Sequence, residues 1–342
     1  MNWNIFITRE IPKEAIDLLK ANCDTVEVHE GDSLLRREQL LEKVRGRDSI
    51  LCCLTEKIDA EVLAAASGVK GIANMAVGYD NIDVKAATKQ GIPVSNTPGV
   101  LTDATADLAW ALLFAAARRI IPADKYTRAG EFKAWGPMLF LGADVTGKTL
   151  GIIGAGRIGT AVAMRSRGFG MSVLYCDPVR NDFLEKELSA RLVSLEELLR
   201  EADFVSLHVN LTPETRHLIG ERELGLIKPT AYLINTSRGP VVDEEALVGA
   251  LQKRQIAGAG MDVYEQEPRL APGLAELDNV VLLPHIGSAT IATRTKMALI
   301  AADNLLAMLR GEPAPNCVNP EVYKRGPKGH SALQRTTTAE HA

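Results

Sequence analysis

Short apolar, β-branched runs alternate with segments of helical spacing along almost the whole chain. That alternation predicts parallel sheets joined by crossover helices. The first run is Asn4–Thr8, followed by a helix over Lys13–Ala21 and a second run around Thr25–His29. Ser49–Leu54, Lys70–Asn74 and Ile92–Ser95 continue the series, linked by helical segments such as Asp59–Ala66 and Asp83–Gln90. Residues 1–98 thus read as one doubly wound unit.

After the turn signal Asn96-Thr97-Pro98-Gly99 comes Thr102–Ile121, Ala-rich and apolar on nearly every face. A helix of that kind must be buried all round, so it is expected at a domain boundary or a subunit interface, and Pro122 is expected to end it. A second alternating unit follows, with strands over Thr149–Ile153, Ser172–Cys176, Phe204–His208, Ala231–Asn235, Ala257–Asp262 and Val280–Leu283. The last long helix, Ala289–Arg310, is expected to return to the first unit, which makes that unit discontinuous. The tail 324–342 is mostly polar or small and is expected to be disordered.

Composition narrows the class. The 342 residues are 46% hydrophobic and 24% charged, and 39 Lys and Arg against 43 Asp and Glu leave a net charge of −4. With no dense basic run, nucleic acid is not an expected partner. The most apolar stretch, Leu108–Ala117, is too short to span a bilayer, and the N-terminus shows no secretory pattern. Five cysteines without a C-x-x-C pair read as reduced thiols of a cytoplasmic protein. The histidines lack metal-ligand spacing, so no metal is assigned.

Gly154-Ala155-Gly156-Arg157-Ile158-Gly159 is a G-x-G-x-x-G motif set between an apolar strand and a helix. The first glycine serves the tight turn, the second lets a pyrophosphate approach the backbone and the third packs helix on strand. The helix N-terminus then offers unpaired N–H groups to the phosphates. Asp177, 18 residues beyond Gly159, stands where an acid takes the ribose hydroxyls. It repels a 2′-phosphate and so favours NAD; Arg180 could swing toward that phosphate, which keeps NADP as the alternative. Pro178 and Val179 beside Asp177 belong to the same candidate cofactor site.

Three residues stand just past C-terminal strand ends of this second unit, where open α/β sheets place their ligands. Arg238 can bind a carboxylate through its planar fork. His285 suits proton transfer, and a carboxylate such as Glu267 nearby would favour its charged form. Taken singly, each also reads as a solvated, capping or half-buried loop residue; their joint occurrence beside a dinucleotide motif shifts the weight toward chemistry.

The glycine motif, Asn235-Thr236-Ser237-Arg238-Gly239, the segment Gly258–Pro268 and Pro284-His285-Ile286-Gly287-Ser288 together resemble the D-isomer-specific 2-hydroxyacid dehydrogenase family, and within it the glyoxylate and hydroxypyruvate reductases. The resemblance spans about residues 4–320. It implies that Arg238 binds substrate, that His285 donates the proton in reduction and that Glu267 orients and charges it. It also implies that Val77 and Gly78 offer backbone N–H groups to the substrate carboxylate, and that Thr105, Thr236, Ser237 and Asp262 contact cofactor. The expected fold is α/β, two doubly wound parallel-sheet domains with a Rossmann-type NAD(P)-binding domain (99–287) inserted into a flavodoxin-like substrate domain (1–98 and 288–323).

Glu267 matches the hydroxyacid enzymes rather than the formate dehydrogenases, which pair the histidine with an amide. Val77 stands where phosphite dehydrogenases carry a lysine. Asn210 replaces a proline common in the family. The expected activity is NAD(P)H-dependent reduction of glyoxylate or hydroxypyruvate, in a homodimer. The alternatives are a dehydrogenase for a bulkier D-2-hydroxy acid, such as D-lactate or 3-phosphoglycerate, and a non-catalytic NAD-sensing corepressor-like protein.

Overall fold

The computed structural model describes residues 2–31 and 33–324. Two compact units are present: Gly99–Arg294 form one, and the residues up to Pro98 with those from Thr295 onward form the other. The second boundary falls inside the helix Ile291–Leu309. Beyond Lys324, the tail expected to be disordered lies outside the described residues.

The first unit is built on β1 (Asn4–Ile7), β2 (Thr25–Val28), β3 (Ser49–Cys52), β4 (Ile72–Asn74) and β5 (Val94–Ser95). They form a parallel sheet in the order β2-β1-β3-β4-β5, the flavodoxin order. Alternation along each strand fills two cores. Ile5, Ile7, Leu51 and Ala73 pack with the helix Lys13–Lys20 and the returning helix, while Phe6, Ile50, Cys52 and Ile72 pack with the helices of the other face. Two of those helices start on aspartates foreseen at their boundaries, Asp59 and Asp83, which accept from the backbone N–H groups of their first turns.

The second unit carries β6 (Thr149–Ile153), β7 (Ser172–Cys176), β8 (Arg191–Leu192), β9 (Phe204–Leu207), β10 (Tyr232–Asn235), β11 (Gly258–Met261) and β12 (Val280–Leu282). Their order, β12-β11-β10-β9-β6-β7-β8, is the Rossmann arrangement with one strand added, and the order reverses between β6 and β9. The strand β8 was not expected. It is two exposed residues at the sheet edge, too short to leave a pattern.

The long apolar helix differs from expectation. It ends at Ala117, and a second helix, Ile120–Arg128, follows after Arg119, whose φ is +52°. The Ala117 carbonyl accepts from the Ala143 N–H at 2.9 Å, which diverts it from the helical ladder. Pro122 therefore ends nothing. It sits in the first turn of the next helix, where its missing N–H has no helical acceptor to lose. Nor is the helix Thr102–Ala117 buried all round, since Asp103, Asp107 and Ala111 are exposed. Its other faces are covered within its own unit, against β10, β11 and the helix Arg157–Arg165. Trp110 Nε1 donates to the Val162 carbonyl there at 2.9 Å.

Candidate active site

Strands β10, β11 and β12 lie side by side, and each runs into a segment carrying one of the three candidate catalytic residues. Arg238 follows β10, Glu267 follows β11 and His285 follows β12. Parallel pairing puts all three at the same C-terminal edge. His285 Nδ1 lies 2.9 Å from Glu267 Oε2, and Glu267 Oε1 accepts the Tyr264 N–H at 3.1 Å. Burial pushes the Glu267 carboxyl up. The hydrogen bond and charge of His285, the Tyr264 N–H and the Arg238 guanidinium outweigh burial and hold it below the usual carboxylate range. With Nδ1 taken, Nε2 is the nitrogen of His285 able to exchange a proton with a substrate oxygen.

Close backbone approach makes this meeting geometrically accessible. A Cβ at Gly239 would fall 1.8 Å from the Tyr264 carbonyl, so only glycine lets the Arg238 segment lie against the segment of Glu267. His285 itself adopts a left-handed φ of +56°, a conformation that costs a non-glycine residue about 1–2 kcal/mol. Asp262 at the end of β11 holds it there. Its carboxylate accepts the Ile286 and Gly287 N–H groups at 2.7 and 2.8 Å, and its carbonyl accepts the His285 N–H at 2.9 Å. Burial raises the Asp262 carboxyl against the effect of those two N–H groups. Thr105 completes the clamp by donating from Oγ1 to the Gly287 carbonyl at 3.1 Å.

The glycine loop follows β6, at the point where the strand order reverses. Gly154 has φ +93°, and a Cβ at Gly159 would lie 2.0 Å from the Gly154 carbonyl oxygen. At Gly156 a Cβ would meet nothing within 4 Å, so this face of the loop is open to a ligand. Among the described residues, the N–H groups of Gly156, Arg157 and Ile158 have no protein acceptor. The turn therefore fits a dinucleotide pyrophosphate. Asp177, at the end of β7, accepts the Ala155 and Val179 N–H groups, each at 2.8 Å. Pro178 and Val179 beside it are exposed. Arg180 pairs with Glu185, and its Nε lies 3.4 Å from Asp182. Thr236 and Ser237 are buried past β10, Ser237 on the Asn235 side chain. Among the described residues, Thr236 Oγ1 and His208 Nδ1, at the ends of neighbouring strands, are buried without a protein partner.

Val77 and Gly78 belong to the first unit, in the loop after β4. Their carbonyls are pinned from the side chains of Asn96 and Asn74, at 2.7 and 2.9 Å. Among the described residues their N–H groups have no protein acceptor. Neither asparagine stood out in the sequence. Each sits at a strand end that reads as an ordinary turn, and only the fold shows what it holds.

The sequence model of the D-isomer specific 2-hydroxyacid dehydrogenase NAD binding domain matches residues 110–287. The chain belongs to this family. It is 55% identical to a glyoxylate reductase of Thermococcus gammatolerans over 95% of its own length and 98% of the relative's. A solved structure of a Thermus thermophilus protein shares 47% of its residues, covers 92% of this chain and 99% of its own, and superposes with a TM-score of 0.86. An NADPH-dependent glyoxylate/hydroxypyruvate reductase of Sinorhizobium meliloti, solved with NADP and malonate, is 31% identical. It covers 94% of this chain and 98% of its own, with a TM-score of 0.81. As a D-2-hydroxyacid dehydrogenase the chain is an NAD(P)-dependent oxidoreductase acting on small molecules. No helix among the described residues is long and apolar enough to cross a membrane.

Proposed function

We propose that this dehydrogenase reduces glyoxylate, and hydroxypyruvate as the larger congener, to glycolate and D-glycerate, with NADH as the preferred cofactor. The observation that carries the reading is the Glu267–His285 pair at 2.9 Å beside Arg238, on the sheet that bears the glycine loop. The name of the 55% identical relative supports the substrate.

When bound, NAD(P)H would be the source of the hydride for this reduction. Arg238 holds the substrate carboxylate and polarises the carbonyl, His285 Nε2 gives its proton to the carbonyl oxygen, and Glu267 orients the ring. Gly154–Gly159, Asp177, Pro178 and Val179 would hold the dinucleotide's phosphates and ribose, with Thr105, Thr236, Ser237 and Asp262 toward its nicotinamide end. The unpaired N–H groups of Val77 and Gly78 support their proposed hold on the carboxylate. In domain terms, 1–98 with 288–323 would serve the substrate and 99–287 the cofactor.

Preference for NADH rests on Asp177, whose charge repels a 2′-phosphate, and on the engagement of Arg180 by Glu185. Homodimerisation is supported by a run of exposed apolar side chains after Arg119. Seven of the thirteen exposed large hydrophobics among the described residues lie between Ile120 and Leu141, with Trp135 81% exposed. Exposed apolar side chains gathered in one segment support an interface there. A cytoplasmic location fits five cysteines with no C-x-x-C pair among them.

The test is NADH consumption on mixing purified protein with glyoxylate, against NADPH as the parallel cofactor. Rapid NADH oxidation supports the reading, and faster NADPH oxidation overturns the role given to Asp177. Activity only on D-lactate or 3-phosphoglycerate would identify a bulkier substrate. Ligand-induced assembly without turnover would identify the sensing protein.

A further inference from the structure

We infer that Glu244 is a positioning residue for the Glu267–His285 pair, fixing the loop from Glu265 to Ala271 on which Glu267 stands. Glu244 opens the helix Glu244–Gln252, directly after its N-cap Asp243. An acidic residue in a first helical turn ordinarily points to solvent and interacts weakly with the helix dipole. Glu244 does not; it is 4% exposed. Its two oxygens divide between the two ends of the loop, Oε2 accepting the Glu265 N–H at 3.0 Å and Oε1 the Ala271 N–H at 3.3 Å.

A buried carboxylate is tolerated where it accepts hydrogen bonds, and hydrogen bonds to a charged group are the stronger kind. Both loop ends are thereby tied to one rigid point on a helix. Glu267 lies between them, and the loop's own turn, Arg269 N–H to Gln266 carbonyl at 2.9 Å, follows the same span. Tyr264, one residue before the clasp, gives its N–H to Glu267 Oε1 and its hydroxyl to the Leu283 carbonyl at 2.8 Å, two residues before His285. The clasp therefore sets where the Glu267 carboxylate meets Nδ1, although Glu244 touches neither substrate nor cofactor.

This inference rests on the proposed roles of Glu267 and His285, and a double-mutant cycle separates the two. Glu244→Gln keeps the shape but presents an amide NH2 to one of the two backbone N–H groups. Glu244→Asp keeps the charge but is one methylene too short to bridge both. Measured as kcat/KM for glyoxylate with NADH, per active site, Glu244→Gln should lose roughly 10- to 100-fold, as sub-ångström to ångström misplacement does. The loss should fall in kcat, with the NADH Kd unchanged. In the Glu267→Gln background the same substitution should cost less than about threefold, because the group it positions is already gone. Equal losses in the two backgrounds, or a Glu244→Gln enzyme of wild-type activity, would overturn the inference while leaving the site standing. No loss in Glu267→Gln itself would overturn the reading of the site. Glu244→Asp carries the same test should the glutamine variant fail to fold.

Discussion

At the scale of single residues, the site depends on side chains whose polar atoms are almost all committed. Glu267 spends one oxygen on His285 and the other on Tyr264, and Asp262 spends both on the turn behind His285. Arg238 donates from one nitrogen to the Ser237 carbonyl at 2.8 Å, and what sets it apart is its shape. Its planar fork is wanted for a carboxylate, and a lysine offers only a point charge. Arg238→Lys should raise KM for glyoxylate and lower kcat, with kcat/KM down by roughly 10- to 1,000-fold, and steady-state kinetics check this. Unchanged constants would remove Arg238 from the substrate. The types of these residues were legible in the sequence because arginine, glutamate and histidine past strand ends are chemically conspicuous. Glu244 was not, since a glutamate in a first helical turn is commonplace and only its burial distinguishes it.

At the scale of elements, the alternation of apolar runs located nearly every strand and helix, and the glycine motif follows β6 as its spacing requires, although the helix begins at Arg157 inside the motif rather than after it. What escaped was settled by contacts distant in sequence. The break at Arg119 depends on Ala143 reaching back to the Ala117 carbonyl, and β8 exists only because β7 is there to pair with. The glycine loop allows a clean separation of folding from binding. At Gly159 a Cβ would collide with the Gly154 carbonyl, whereas at Gly156 it would meet only open space. Gly156→Ala should therefore change the unfolding free energy of the cofactor-free protein by less than about 1 kcal/mol and raise the NADH Kd at least about tenfold. Gly159→Ala should lose stability as well. Equal NADH affinity in Gly156→Ala would show that the pyrophosphate does not approach there.

At the scale of the whole molecule, acid stability carries a specific signature. Burial lowers the His208 imidazole to about 3, with Nε2 held 2.9 Å from Ser206 Oγ. An unfolded histidine titrates near about 6.5, so the folded chain binds fewer protons through that window. The stabilisation due to neutral His208 is complete above about pH 6.5 and is lost progressively as pH falls toward 3. Denaturant melts of His208→Gln, which cannot titrate, should show a shallower loss of stability between those limits than wild type. The exposed run Ile120–Leu141 predicts self-association, and Trp135→Ser should shift sedimentation equilibrium toward monomer.

The most direct test of the central claim is turnover of glyoxylate with NADH by His285→Asn beside the wild type, with NADH affinity measured on both. Asparagine tolerates the left-handed backbone at this position, so the clamp of Asp262 and Thr105 should survive the change. Loss of a general acid should then lower kcat by about two to four orders of magnitude with NADH binding unchanged. Turnover close to wild type would contradict the assignment of His285 as proton donor, and with it the chemistry assigned to this site.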